Sequence, residues 1–198
     1  IVPSEFGRHE VDVVVQHLPD ETVPELGIGG SCFRRGLVTI SLDPEARGFE
    51  DHLTSGVFDR TLAHELHHAM RWRTCGYGIS LGDALVSEGL ADVFSEMVSG
   101  ISAPPWTSAL TENDLSLVLD RAEDEINSFD YDHAAWFFGT GDLPRWAGYS
   151  IGYRLVRLFT QENPDISANG LVDAPSALFL AAWTKLKNQR TRLPIQTS

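Results

Sequence analysis

The chain has 198 residues, of which 42% are hydrophobic and 22% charged, so it is long enough to enclose a core, and we predict a single domain over residues 1–198. Its formal charge of −13 predicts an acidic surface that repels nucleic-acid phosphates and anionic membranes. We therefore expect neither a nucleic acid nor a membrane as a partner.

The composition also bears on the compartment. No apolar run approaches the roughly 20 residues that span a bilayer, and residues 1–8 lack the charged and then apolar pattern of a leader peptide. We predict a cytoplasmic protein. Because the sequence begins with Ile1 and not with Met, a leader peptide that has been removed stays an alternative.

The two cysteines, Cys32 and Cys75, form no CxxC motif, which excludes a thiolate zinc site. We predict two buried thiols and leave a disulfide between them open.

Two N-terminal segments have the composition of strands. Residues 10–18 and 36–42 are rich in β-branched side chains and end at Pro19 and Pro44. Between them, the glycine-rich residues 27–30 predict a flexible turn, with a part of a substrate-binding edge as the alternative.

Helical spacing of apolar residues predicts most of the remaining chain to be helical. The first helix, over residues 56–73, has Thr54 or Ser55 available as its N-cap. The others are predicted over residues 81–98, 111–126, 146–161 and 175–188, with a loop over residues 130–141. The sequence thus predicts an α+β fold with a small N-terminal sheet and a mainly helical C-terminal half.

The helix over residues 56–73 contains the motif HExxH, from His64 to His68. Side chains four residues apart share one helical face, so both imidazoles can bind one zinc ion at about 2.0–2.1 Å. Glu65 lies beside them and can activate a water molecule as a general base. The pairing of His64 with His67 is an alternative, but it leaves Glu65 without this role, so we interpret His67 as a bystander.

A catalytic zinc ion usually has three protein ligands, so a third ligand is expected elsewhere in the chain. Glu88 is the best candidate, because it follows His68 by twenty residues on the next predicted helix. Asp92, four residues later, can accept the second N–H of a ligand histidine and fix its tautomer. The alternative interpretation places Glu88 and Asp92 on a solvated surface.

These motifs resemble those of a known family. HExxH followed by E-G-L-A-D, residues 88–92, is similar to the gluzincin pattern, and L-A-H-E-L-H-H, S-E-G-L-A-D and G-Y-S-I-G-Y together resemble putative zinc-dependent proteases long described as a domain of unknown function. The resemblance implies a zincin-like fold, in which a small sheet packs over the HExxH helix and an edge strand binds the extended substrate. Residues 37–42 are our candidate for that edge. Ser87 departs from thermolysin, which has an amide residue there.

The same resemblance suggests a residue that stabilises the oxyanion. Tyr149 and Tyr153 are the leading candidates as catalytic donors, because a phenol donates a hydrogen bond without carrying charge, and His133 is the next. The competing interpretation of each tyrosine is a core ring. Trp136, Phe137 and Phe138 are interpreted either as pocket-lining residues or as core.

The predicted function is a zinc-dependent peptide-bond hydrolase, with zinc as cofactor and a peptide or protein as substrate. One alternative is a regulatory module that binds metal on the same fold, and Glu65 argues against it because such a module needs no base. Another is a hydrolase of non-peptide amides, which would use the same chemistry. The sequence leaves the oligomeric state open.

Overall fold

A three-stranded sheet forms the N-terminal part of the computed structural model, which describes residues 10–189. The strands are β1 (Asp12–His17), β2 (Ile28–Arg34) and β3 (Leu37–Leu42). Their order is β1-β3-β2, with β3 parallel to β1 and antiparallel to β2. The first residues, considered above as a leader, lie outside the described part.

The sheet corrects two predictions. Residues 27–30 are not a flexible turn, because Ile28, Gly29 and Gly30 pair with β3 as the first half of β2. Glycine has a low strand propensity, and the pairing with β3 overrides it. The prediction that residues 37–42 form a substrate-binding edge is also wrong. β3 lies at the centre, so its backbone groups already pair with β1 and β2.

Helices make up most of the remaining described chain, which confirms the α+β class. They are α1 (Phe49–Thr54), α2 (Val57–Arg71), α3 (Leu81–Ser99), α4 (Glu112–Glu125), α5 (His133–Phe138), α6 (Ala147–Glu162), α7 (Ala168–Val172), α8 (Ser176–Leu180) and α9 (Trp183–Gln189).

Three local features differ from the prediction. The predicted loop over residues 130–141 contains α5, and the predicted helix over residues 175–188 is divided into α8 and α9. Neither Thr54 nor Ser55 caps α2, because the left-handed Gly56 takes the N-cap position without a side-chain hydrogen bond. Thr54 instead ends α1.

α2 lies between the sheet and the other helices. One side of α2 packs on β2 and β3, where Ile28, Val38 and Ile40 form a small core. The other side packs on α3, whose residues from Leu81 to Ser95 are almost all buried. A larger core then joins α3 to α4, α5 and α6. The helix pair α2 and α3 therefore lies at the junction of the two cores.

The cysteines only partly match the prediction. Cys32 is buried on β2, whereas Cys75 is exposed after α2, so the prediction of a buried thiol is wrong for Cys75. Both thiols are free in the structure. Within residues 10–189, no helix combines the length and apolar character needed to cross a membrane.

Two glycines allow α3 and α6 to approach closely. A Cβ atom built on Gly152 would lie 2.0 Å from the carbonyl oxygen of Leu85, and one built on Gly89 would lie 2.2 Å from the carbonyl oxygen of Gly152. Both neighbours are backbone atoms, which cannot rotate away. The contact holds the helix that carries Glu88 against the largest core.

We expect Gly152→Ala to destabilise the protein because its methyl group would force α3 and α6 apart. Overpacking of this kind costs about 1–3 kcal/mol, which corresponds to a fall in Tm of about 2–4 °C for each kcal/mol. Thermal unfolding followed by circular dichroism measures the change. Gly141→Ala is the control, since its Cβ would lie 3.3 Å from the Ala135 side chain at an exposed bend. Equal Tm values for the two variants would contradict the proposed close contact.

Candidate metal centre

Two adjoining helices carry the side chains of the HExxH and E-G-L-A-D motifs. α2 presents His64 and His68 one turn apart, and α3 presents Glu88 opposite them. α3 begins at a capping box, in which the Ser80 hydroxyl accepts from the Asp83 N–H and the Asp83 carboxylate accepts from the Ser80 N–H. This cap fixes where the helix starts and therefore which residues of α3 face α2.

The distances within this group match those of a metal site. His64 Nε2 lies 3.1 Å from Glu88 Oε2 and 3.1 Å from His68 Nε2, and His68 Nε2 lies 3.5 Å from Glu88 Oε1. Ligands bound tetrahedrally at about 2.0–2.1 Å from zinc are separated by about 3.3 Å from one another. Two imidazoles and a carboxylate are also ligands that zinc prefers. The residues present therefore fit a zinc ion.

The second nitrogens of both imidazoles have polar neighbours. His64 Nδ1 lies 2.9 Å from Asp92 Oδ1, and His68 Nδ1 lies 3.5 Å from the Ser87 hydroxyl. A proton on Nδ1 of His64, facing the carboxylate, leaves the lone pair of its Nε2 directed at the metal position. Asp92 thus occupies the position that the sequence predicted for it, and it is fully buried.

Glu65 extends from α2 toward β2 instead of joining the three candidate ligands. A Cβ atom built on Gly30 would lie 2.6 Å from Glu65 Cγ and 2.7 Å from Glu65 Oε1, so only glycine leaves room for this carboxylate. Burial raises the pKa of the Glu65 carboxyl, although the nearby imidazoles of His64 and His68 lower it. The base predicted from the motif is therefore held between the HExxH helix and the sheet.

A cleft of about 680 Å³ opens over this group. His64, Glu65, His68 and Glu88 line it, and residues 28–33 of β2 form one wall. The other side chains that line it include a large share of aromatic rings: Phe33, Trp72, Tyr77, Trp106, Phe138, Trp146 and Tyr149. The candidate ligands therefore line an accessible cleft together with several aromatic side chains.

The structure separates the two tyrosines that the sequence could not distinguish. Tyr149 lines the cleft, and burial raises the pKa of its phenol well above the usual range, so it remains a donor at neutral pH. Tyr153, one turn later on α6, lies outside the cleft lining and donates to Glu96 Oε2 at 2.8 Å. Tyr153 thus lies outside the cleft lining, which disagrees with its predicted role as a catalytic donor.

Other predictions can be compared with positions in the same region. His133 lines the cleft, and burial lowers its pKa. His67 is fully buried, and its ring packs against Phe94 with a centroid separation of 5.2 Å, so it does not form the alternative metal pair with His64. Trp136 and Phe137 are core residues, whereas Phe138 lies in the cleft.

Sequence reasoning missed three cleft residues. Tyr77 lies between two left-handed glycines, its ring centroid is 5.7 Å from that of His68, and burial raises the pKa of its phenol. Arg60 is buried one turn before His64. Trp106 donates a hydrogen bond to Asp92. The G-Y-G triplet around Tyr77 was a local signal, whereas the sequence offered none for Arg60 or Trp106.

Comparisons with known proteins give a family and two distant relatives. A family model described as predicted Zn-dependent protease (DUF2268) matches residues 6–181. The uncharacterized protein YjfC of Bacillus subtilis (strain 168) is 27% identical over 133 residues, covering 59% of this chain and 44% of YjfC. The uncharacterized protein YjaZ of the same strain is 25% identical over 140 residues, covering 66% of this chain and 52% of YjaZ. The chain thus spans about half the length of these curated relatives. No solved structure matches it significantly.

We expect wild-type protein purified without chelator to contain one zinc per chain, and Glu88→Ala to lose it. Loss of an outer hydrogen-bond partner of a ligand typically weakens metal binding by about 10–100-fold. Removal of one of the three ligands themselves should weaken zinc binding by more than this. Elemental analysis measures the metal content, and titration against a zinc-binding dye measures the affinity. Glu96→Ala, on the same helix but bonded to Tyr153, should keep its zinc. Stoichiometric zinc of unchanged affinity in Glu88→Ala would exclude Glu88 as a ligand.

Proposed function

The chain belongs to the family of predicted zinc-dependent proteases, and we propose that it is a gluzincin-type metallopeptidase in which His64, His68 and Glu88 hold the zinc ion. The observation that carries the proposal is the convergence of two imidazoles and one carboxylate, with contacts of 3.1–3.5 Å between their nitrogen and oxygen atoms, beneath an open cleft. The relatives are themselves uncharacterized, so the proposal rests on the geometry of this site and on the description of the family.

Glu65 supplies the proton transfers in this mechanism. When bound, zinc acts as a Lewis acid that polarises a carbonyl group and makes a water molecule more acidic. Glu65 accepts a proton from the attacking water and delivers it to the amine that leaves. The close approach to Gly30 holds the Glu65 carboxylate beside the three candidate ligands, and Glu65 is not itself one of them.

Tyr149 is our candidate for the donor that stabilises the oxyanion. Its phenol lines the cleft and stays protonated, and its ring is packed against Phe137 and Trp106 at centroid separations of 5.0 and 5.9 Å. A donor fixed before the reaction needs no reorganisation when negative charge develops. Tyr77 offers a second phenol, with its ring centroid 5.7 Å from that of His68.

β2 is our candidate for the strand that binds the peptide. It is an edge strand, it lines the cleft, and it carries Gly30 against Glu65. An extended peptide can add to such an edge through backbone hydrogen bonds. An isolated bridge between Val23 and Ile28 covers the start of the edge, so we place the peptide beside residues 30–33. This arrangement of sheet, HExxH helix and cleft is the zincin-like architecture that we propose.

The alternatives make different demands on the site. A regulatory module that only binds metal does not need a carboxylate buried against the sheet beside the ligands, so the position of Glu65 favours an enzyme. A hydrolase of non-peptide amides would use the same residues. Cleavage of a peptide library analysed by mass spectrometry, with small amide substrates tested in parallel, separates the two.

We expect Glu65→Gln to retain zinc and to lose hydrolysis by about 10²- to 10⁴-fold, because the amide keeps the shape of the carboxylate but cannot accept the proton. Peptide cleavage and zinc content are measured on the same preparations. A variant with zinc and the wild-type rate would remove Glu65 from the mechanism. A wild-type protein with bound zinc that cleaves no member of the library would contradict the peptidase proposal itself.

We expect Gly30→Ala to reduce hydrolysis while zinc stays bound, because the methyl group would displace Glu65 and leave His64, His68 and Glu88 in place. A displacement of about 1 Å in a catalytic group can cost about 10²-fold in rate. The rate constant kcat and the zinc content are the measurements. Ser31→Ala, the next residue of β2, is the control and should keep most of the activity. Loss of zinc in Gly30→Ala would show that the strand supports the ligands and not the base.

A further inference from the structure

The indole of Trp106 contacts the buried carboxylate behind the candidate metal ligands. Its Nε1–H lies 3.1 Å from Asp92 Oδ2 and 3.2 Å from Asp92 Oδ1. The oxygen Oδ1 also faces His64 Nδ1 at 2.9 Å, whereas Oδ2 is directed at the indole. The indole N–H and the His64 Nδ1–H therefore both donate to the Asp92 carboxylate, which links Trp106 to His64.

Trp106 is itself held in place by α6. It lies in a short 3₁₀ turn, Pro105–Ser108, that follows α3. The hydroxyl of Ser150, a fully buried residue of α6, donates to the Trp106 carbonyl oxygen at 2.6 Å and accepts from the Ala109 N–H at 3.2 Å. The ring of Tyr149 packs beside the indole. The G-Y-S-I-G-Y segment therefore fixes this turn, and with it the direction of the indole N–H.

From this series of contacts we propose that Trp106 is a positioning residue of the zinc site, which acts through Asp92 to hold His64 in the orientation that binds the metal. The inference rests on the proposed zinc centre and adds a residue that neither motif contains.

The physical reason is the burial of Asp92. A fully buried carboxylate needs a hydrogen-bond donor for each oxygen, and an oxygen without one is costly. The indole satisfies Oδ2, so Oδ1 stays directed at His64 Nδ1. Without the indole, the carboxylate can rotate toward other donors, and the imidazole loses the partner that fixes its tautomer and ring plane. Outer hydrogen-bond partners of metal ligands typically contribute about 10–100-fold to metal affinity.

The experiment is a double-mutant cycle on zinc affinity, which requires no substrate. Metal-free wild type, Trp106→Phe, Asp92→Ala and the double variant are titrated with zinc against a chromophoric chelator. We expect Trp106→Phe to raise the Kd for zinc about 10-fold. In the Asp92→Ala background we expect the same change to alter Kd by less than about twofold, because the group through which the indole acts is gone. A purely structural role would weaken binding equally in both backgrounds and would overturn the inference.

Trp183→Phe is the matched control. Trp183 is also buried, but its Nε1 has no hydrogen-bond partner in the structure, so its loss should leave the Kd for zinc unchanged within about twofold. Thermal unfolding of the metal-free proteins tests whether Trp106→Phe folds. If it does not, Ser150→Ala, which keeps the indole but frees the turn, should still raise Kd, and again only when Asp92 is present.

The remaining outcomes are also distinct. An unchanged Kd in a folded Trp106→Phe variant overturns the inference and leaves the zinc centre intact. If Trp106→Phe does not fold, an unchanged Kd in Ser150→Ala has the same meaning. A wild-type protein that takes up no zinc instead overturns the metal centre on which the proposed function depends.

Discussion

The contact between α2 and α3 is the constraint on which the rest of the site depends. The two helices bring His64 and His68 within 3.5 Å of Glu88, and they bury Asp92 behind His64. Side-chain rotation alone could not preserve these distances if the helices separated. Both outer faces of the pair are therefore supported: the sheet packs on α2, and α6 packs on α3 at the close approach of Gly89 and Gly152.

Support of this kind explains the glycines that surround the site. Gly30 leaves room for Glu65, and Gly89 and Gly152 let two helix backbones touch. None of the three has the left-handed backbone that usually requires glycine, since each lies in a regular strand or helix. Glycine is needed at these positions because another group packs where a side chain would otherwise lie. Glycine in an element interior costs roughly 0.5–1 kcal/mol relative to alanine, and here the close contacts offset that cost.

The sequence could predict much of this site because the relevant relations are local. His64 and His68 share a face of α2 through their spacing, as do Glu88 and Asp92 on α3, and the helices themselves follow from apolar periodicity. The contacts that bring distant elements together are not local, and the sequence does not predict them. The order of the strands places β2, and not β3, at an edge of the sheet. Pairing with β3 makes Ile28, Gly29 and Gly30 part of a strand, although their composition is typical of a turn. Likewise, Tyr149 and Tyr153 differ by one helical turn, and only the packing of α6 directs one to the cleft and the other to Glu96.

Charge provides a further argument that the proposed residues act as a unit. Glu65, Glu88 and Asp92 are three carboxylates buried within one site, and the chain already carries an excess of negative charge. Buried charges are costly unless they are paired or bind a metal. Burial lowers the pKa of Arg60, which lies one turn from His64, and the charge of Asp92 opposes that lowering, so Arg60 compensates one of the three carboxylates. A zinc dication would compensate the other two while both imidazoles remained neutral. The donor set, the count of buried charges and the hydrogen bond from Trp106 to Asp92 thus favour the same occupant for this site, a divalent metal ion held between α2 and α3.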